Sequence, residues 1–476
     1  MKRNQLLSLV TAITIILIVL SLIFIHFPFM GHDYSLSIGW ANDYQFAWKK
    51  FGVFNIIFSP QRCSGVPVWA NPIGLNFSLF HILSTLFKDL NVIVIYSCVL
   101  MSLSFFGIKK FLSLFELDEP WKSYIAIGWC LQGYITTRAI VGHLPLINLG
   151  LWPLYAYLLI KKNNSNKKDI LGLIIFSFAF AHDFYMANTY LFVMFPLAFS
   201  LFLVIMKINQ INIDFKWTLK RLFSGSILTL VIILPKLIAI LSFTRNFQRQ
   251  SSFAKVDLLS SLNYVFMNLI TPLPLDYHEM TGWRYGNWES ISYIFPFFFP
   301  VLICHSSIDF KKYGRILTSL LLIIILGVFI SSGLYADFIK NIPIIKSFHV
   351  NPRWMAILSL SLLAITTFYL KKAQLKSWIA IVFIVIAFTT PFYFIGQNYF
   401  RISYLYRSGL NVEKNRLNYC YEPAFGHKLE LLPIKSLKGK YFDPRCFVSK
   451  KKCTDYTLKP ELKEKLENYS LSPFEE

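Results

Sequence analysis

The hydrophobic positions of this chain fall in long blocks separated by short polar stretches, and blocks of roughly membrane length recur from end to end. Their boundaries read Leu6–Phe27, Asn91–Ile108, Ser123–Ile135, Leu144–Ile160, Ile170–Ala181, Thr189–Ile205, Leu222–Phe243, Ile291–Ser306, Ile316–Leu334, Trp354–Leu370 and Ser377–Ile395. The pattern predicts an all-α polytopic membrane protein of about eleven transmembrane helices. The third and fifth blocks are short and are expected to be tilted, broken or partly re-entrant. Met1-Lys2-Arg3 and the apolar run through Pro28 resemble a signal peptide at first. The run is long enough to span and no small-x-small cleavage site follows it, so it reads as the first transmembrane helix.

The polar stretches carry a directional code. With Lys2 and Arg3 inside, strict alternation puts five basic clusters on the same side: Lys109, Lys110 and Lys122; Lys161, Lys162, Lys167 and Lys168; Lys207, Lys216, Lys220 and Arg221; Lys311, Lys312 and Arg315; and Lys371, Lys372 and Lys376. Short basic loops face the cytoplasm. Three long segments then fall outside, Met30–Leu90, Thr244–Ser290 and Gly396–Glu476. The expected organisation is a membrane domain over residues 1–396, with external loops 30–90 and 244–290, and a small external C-terminal tail over 397–476. The N-terminus is expected in the cytoplasm, and the setting reads as a bacterial inner membrane.

Composition agrees. Of 476 residues, 55% are apolar and only 15% charged, which excludes an ordinary soluble protein. The net charge of +22 invites a nucleic-acid reading. The basic residues are split between apolar blocks instead of gathered on one soluble face, so no nucleic-acid partner is expected. Of seven cysteines, Cys98, Cys130 and Cys304 lie in or beside apolar blocks and read as small packing residues. Cys446 and Cys453, with six residues between them, and Cys420 are disulfide candidates if the tail is external, although three cysteines cannot all pair.

Inner carboxylates (Glu116, Asp118, Glu119, Asp169, Asp214, Asp309) sit beside basic loop residues and read as solvated charges. The outer side holds Asp33, Asp43, Arg138, His143, His182, Asp183, Arg245, Arg249, His278, Glu279, Arg284, Glu289, His349 and Arg353. Charges so close to helix ends are costly unless paired or facing a wet cavity, and an outward-facing polar cavity is the economical explanation. In the first external loop, Phe77–Phe87 is too short to span and suits a helix lying in the interface. A carboxylate held beside it, Asp33 or Asp43, could serve as general base on an incoming hydroxyl. His182-Asp183, in a tight outer turn, either tunes protonation or caps the next helix. No spacing is diagnostic of a metal, and neither metal nor other cofactor is expected.

Several short motifs now converge. Gly31-His32-Asp33 follows the first helix, and Gly65-Val66-Pro67-Val68-Trp69-Ala70-Asn71-Pro72 lies further along the same loop. Arg138-Ala139-Ile140-Val141-Gly142-His143 leads into Trp152-Pro153-Leu154, and Phe348-His349-Val350-Asn351-Pro352-Arg353 precedes a helix. The tail adds Cys420-Tyr421-Glu422-Pro423-Ala424-Phe425-Gly426-His427 and Asp443-Pro444-Arg445-Cys446. In this order the features resemble the GT-C superfamily of membrane glycosyltransferases and its bacterial YfhO-like branch. The resemblance implies a GT-C-like helical bundle that moves a sugar, with inversion, from a polyprenyl-phosphate donor to an acceptor on the outer face. The acceptor is a saccharide, a lipid or a protein. The first-loop Asp is then the expected base, open between Asp33 and Asp43, with His182, Asp183 and His349 as further candidates. Cations would stabilise the leaving lipid phosphate, Arg353 first, then Arg138 and His143, then Arg245 and Arg249. The alternatives are a transporter or flippase of lipid-linked saccharides, a saccharide polymerase or ligase, and a non-catalytic assembly protein.

Overall fold

The computed structural model describes residues 3–24, 74–87, 90–141, 143–163, 165–186, 189–249, 255–270, 310–335, 351–373, 375–376 and 378–385, together with scattered positions (37, 44–45, 48–49, 52, 69–70, 388, 392) and short strands at 419–420, 432–433 and 456–458. The described residues are overwhelmingly helical: α1 Arg3–Phe24, α2 Leu79–Leu86, α3 Leu90–Leu112, α4 Trp121–Cys130, α5 Gly133–Val141, α6 Leu144–Ile147, α7 Trp152–Ile160, α8 Asn166–Tyr185, α9 Thr189–Ile208, α10 Phe215–Asn246, α11 Leu258–Ile270, α12 Phe310–Ser331, α13 Asn351–Trp354 and α14 Ala356–Ala373. Among them five helices, α3, α9, α10, α12 and α14, are long and apolar enough to cross a membrane. This is the architecture of an all-α membrane protein.

Which side of each helix is apolar confirms the solvent. In a soluble protein the polar face looks outward, whereas here the exposed faces are greasy. On α8, Phe178 is 61% exposed while Ser177 and Asp183 are buried; on α10, Phe223 is 69% exposed while Thr218, Thr229 and Lys236 are buried. Only a bilayer makes that distribution favourable. α14 is apolar on all sides, and Ala356–Leu370 are buried without a break, packed against α9 and α12. It is the central helix of the described bundle.

Contacts set the helix directions. Tyr96, Ser104 and Gly107 of α3 meet Asn148, Gly150 and Leu154 in that order, so α3 and α7 run parallel. Tyr155 reaches Ala179 and Asp183, while Leu158 and Asp169 share Arg221, so α8 runs against α7. Asp169, Ser177 and Tyr185 meet Arg221, Gly225 and Ile232, so α10 is parallel to α8. Tyr313 pairs with Tyr369 at one end and Tyr335 with Trp354 at the other, so α12 is antiparallel to α14.

The consequence is a polarised bundle. One end gathers Lys109, Lys161, Lys162, Lys168, Lys207, Lys216, Lys220 and Lys371, laced by Lys109–Glu119 at 2.7 Å, Lys162–Asp214 at 3.7 Å and Lys371–Glu116 at 3.3 Å. Burial alone would raise the Glu119 carboxyl, but the bonds from Lys109 and Ser123 outweigh it and hold the group below its ordinary range. Asp169 is not a solvated loop charge: it is buried 3.7 Å from the Arg221 guanidinium.

One local expectation holds and two are revised. The third apolar block is broken, one of the forms expected of it, because α4 stops at Cys130 and the chain restarts at Gly133. The fifth is not short: α8 extends through the charged residues on both sides to a full 20 residues. The segment 244–290 is not wholly loop, since α10 continues to Asn246 and α11 packs Tyr264 and Val265 against α12.

Candidate functional site

The end of the bundle opposite the lysines is built differently. Its floor begins at Ser78, which caps α2 by accepting the N–H of His81 at 3.1 Å and donates its own hydroxyl to Leu75 O at 2.6 Å. Phe77, held at φ 58°, turns the chain so that its N–H donates to His81 Nδ1 at 2.9 Å. Nδ1 is therefore an acceptor, and the neutral ring carries its proton on Nε2. Burial, with the nearby charge of Lys236 second, lowers the pKa of His81 from 6.5 to about 4. Tyr44 lies over the ring at 4.2 Å and donates to Asn76 Oδ1 at 2.6 Å. The apolar side of α2 faces outward, with Ile82 56% and Leu86 70% exposed, as suits a helix lying in an interface.

Lys236 joins this floor to the helices. It is fully buried within α10, donates to Gly74 O at 2.7 Å and Tyr185 O at 3.4 Å, and lies 5.4 Å from the Tyr185 ring. One cation of α10 thus ties the segment just after Gly65–Pro72 to the end of α8. Beside it, Tyr96 donates to Asn148 Oδ1 at 2.6 Å, and Asn148 Nδ2 donates to Asp183 Oδ1 at 2.8 Å. Tyr155 donates to Asp183 Oδ2 at 3.1 Å. The His182 ring lies 6.4 Å from Tyr96. Asp183 is therefore no cap of the next helix and His182-Asp183 is no turn: both sit in the last turn of α8, and the carboxylate is spent on two buried donors.

Two of the expected cations are on the same end. Arg138 is completely buried, its Nη1 donates to His143 Nδ1 at 3.1 Å, and its guanidinium lies 5.1 Å from the Tyr134 ring. Since arginine can only donate, His143 Nδ1 is the acceptor. Arg353, half-buried in the short α13, places its guanidinium 5.0 Å from the Tyr190 ring at the start of α9. Such cation–π seating holds the planar group in one orientation.

The structure therefore brings together Arg138, His143, His182, Asp183 and Arg353 at one end. Arg245 and Arg249 are described in backbone only: Arg245 lies in the last turn of α10, and Arg249 in a strand, Phe247–Arg249, paired antiparallel with Tyr456–Leu458 of the tail. Asp33, Asp43, His349, Cys446 and Cys453 lie outside the described residues, as do His278, Glu279, Arg284 and Glu289; Cys420 is described in backbone alone. Among the described residues no group of three His, Cys, Asp or Glu is placed to hold a metal. Cys130 is buried and Cys98 half-buried, both with free thiols.

Against known proteins, the chain matches no family model, no curated protein and no solved structure. The family resemblance stands on the sequence motifs.

Sequence reasoning missed Lys236, His81 and Asn148. Lys236 carried a usable signal, being a lysine inside an apolar block directly after Pro235, where an ionisable residue is a site candidate by default. His81 sat in the short stretch already read as interfacial. Asn148 carried no signal, because its role exists only once α3, α7 and α8 are packed.

Proposed function

We propose that this protein is a membrane glycosyltransferase that takes a sugar from a lipid-phosphate donor at the end of the bundle opposite its basic loops. The observation that carries the reading is that polarised arrangement: Arg138–His143, the Asp183 network, His81, Lys236 and Arg353 share one end, while the lysine loops share the other. The floor of this end is the first-loop segment 74–87, pinned by Lys236, and the same loop carries Asp33 and Asp43. In this mechanism Asp33 or Asp43 takes the proton of the acceptor hydroxyl as that oxygen attacks the anomeric carbon. The lipid phosphate leaves on the opposite side, and Arg353 and Arg138 stabilise its charge. The buried network is the rigid wall against which the loop is held. Alternation of the basic clusters supports an orientation with this end outside the cytoplasm, and in this reading the protein spans a bacterial inner membrane about eleven times. Pairing of 456–458 with 247–249 supports a tail on that same side.

A second reading, translocation of a lipid-linked saccharide, is favoured by one observation. Lys236 and Asp183 are buried within helices, as ionisable groups of transport pathways are. Radiolabelled polyprenyl-phosphate sugar in membranes holding equal amounts of each variant separates the two. Transfer to an acceptor is expected for the wild type, with a loss of roughly 100-fold or more in one of Asp33→Asn and Asp43→Asn. If the wild type transfers no label, or both variants match it, the enzymatic reading fails and translocation takes its place.

A further inference from the structure

A cleft of about 190 Å³ opens at the basic end, where the turn between α7 and α8 meets α10; Lys161, Asn163, Lys168, Leu171, Ile175 and Arg221 line it. Its inner wall consists of acceptors already satisfied. Arg221, buried, donates to Asp169 O at 3.0 Å and Leu158 O at 2.9 Å, neutralising the carbonyl end of α7. Asn163 donates both its backbone N–H and its side-chain amide to Asp169 Oδ1, each at 2.9 Å, so the one carboxylate behind the cleft faces inward. The neighbouring Asp214 is held by Lys162. The mouth is left with the ammonium groups of Lys161 and Lys168, both exposed and neither in an ion pair among the described residues. The Arg221 Nε–H is buried with no hydrogen-bond acceptor among those residues. Gly172 makes room for the guanidinium, since a Cβ there would stand 3.1 Å from its Nη2.

What continues from this polar mouth is apolar. Leu171, 56% exposed, and Ile175, 45% exposed, lead along the outer face of α8 to Phe178. A donor-rich mouth opening onto an exposed hydrocarbon strip matches one chemistry: a phosphate carrying acyl chains. The cleft is below the usual size of a pocket enclosing a whole small molecule, about 300 Å³ and upward, and fits a headgroup whose chains lie outside. Basic pockets between helices on the cytoplasmic side recognise anionic headgroups in this way. We propose that the cleft binds the phosphate of an anionic phospholipid, with the exposed Lys161 and Lys168 as donors, the buried Arg221 guanidinium forming the wall behind them, and the chains on Leu171, Ile175 and Phe178. The site is separate from the glycosyl-transfer reading, lying at the other end of the bundle.

The test is native mass spectrometry of the full chain in detergent, titrated with phosphatidylglycerol, with phosphatidylcholine, and with inorganic phosphate. One phosphatidylglycerol is expected to be retained in preference to phosphatidylcholine. Lys161→Gln with Lys168→Gln should weaken it roughly 30-fold, on the usual contribution of a lysine at an anionic surface. The control pair Lys110→Gln with Lys207→Gln removes the same charge from the same end and should leave retention unchanged; both lysines are exposed. Equal weakening in the control pair overturns the site in favour of diffuse attraction. No preference over phosphatidylcholine, or inorganic phosphate bound as tightly as the lipid, overturns the lipid assignment.

Discussion

At His81 a single backbone N–H decides the tautomer. Phe77 donates to Nδ1, so a second proton on the ring would break that bond and bring a charge near Lys236. The linkage sign follows. The folded pKa, about 4, lies below the unfolded 6.5, so the unfolded chain binds more protons between these values. Stability from the neutral ring is complete above pH 6.5 and is lost as the pH falls from there to about 4. The gap sets an upper limit of about 3 kcal/mol. Thermal melts of wild type and His81→Gln in detergent should show a steeper loss between pH 7 and pH 5 for the wild type. Equal slopes would mean that the ring titrates freely. At this scale the sequence announced Arg138, His143, His182, Asp183 and Arg353 as residues of interest, because charge near an apolar block is costly wherever it sits. It could not say that Asp183 would be spent on Asn148 and Tyr155, whose approach depends on three helices meeting.

Among the described residues, helix existence was legible where a block was long and apolar, and α2 was legible from its short apolar stretch; the block Ile291–Ser306 lies outside the described residues. Helix ends were less so. α8 absorbs Asn166–Asp169 and His182–Tyr185 because its ends find partners in Arg221 and in the Asp183 network, a gain invisible to hydropathy. The break after α4 falls at Leu131-Gln132-Gly133, where Gln132 donates back to Trp129 O. Between α8 and α10 the spacing is set by glycine: a Cβ on Gly225 would lie 2.7 Å from the Phe176 ring. Small residues of this kind let membrane helices approach closely. Gly225→Ala is therefore expected to push α10 off α8, costing about 1–3 kcal/mol from overpacking, and to lower the melting temperature. An unchanged melt would show that Phe176 can turn aside without loss.

The whole molecule is organised by the asymmetry between its two ends, and that asymmetry makes an orientation prediction. Single cysteines introduced at Lys167, on the basic end, and at Asp257, exposed beside α11, should label differently with an impermeant maleimide on intact cells. Asp257→Cys is expected to react at once, and Lys167→Cys only after permeabilisation, each measured against the parent protein. The reverse order would invert the topology and move the proposed donor site to the cytoplasmic face. By itself the sequence determined that the chain is helical, apolar on its outside and written with an alternating charge code, because hydropathy and loop charge are local properties of consecutive residues. Only the tertiary structure decided that Lys236 pins the first loop, that Asp183 is spent on an internal network, and that Arg221 closes the back of the cleft between α7, α8 and α10. Each of these depends on groups 35 to 162 positions apart coming within hydrogen-bond reach, which helix packing alone achieves.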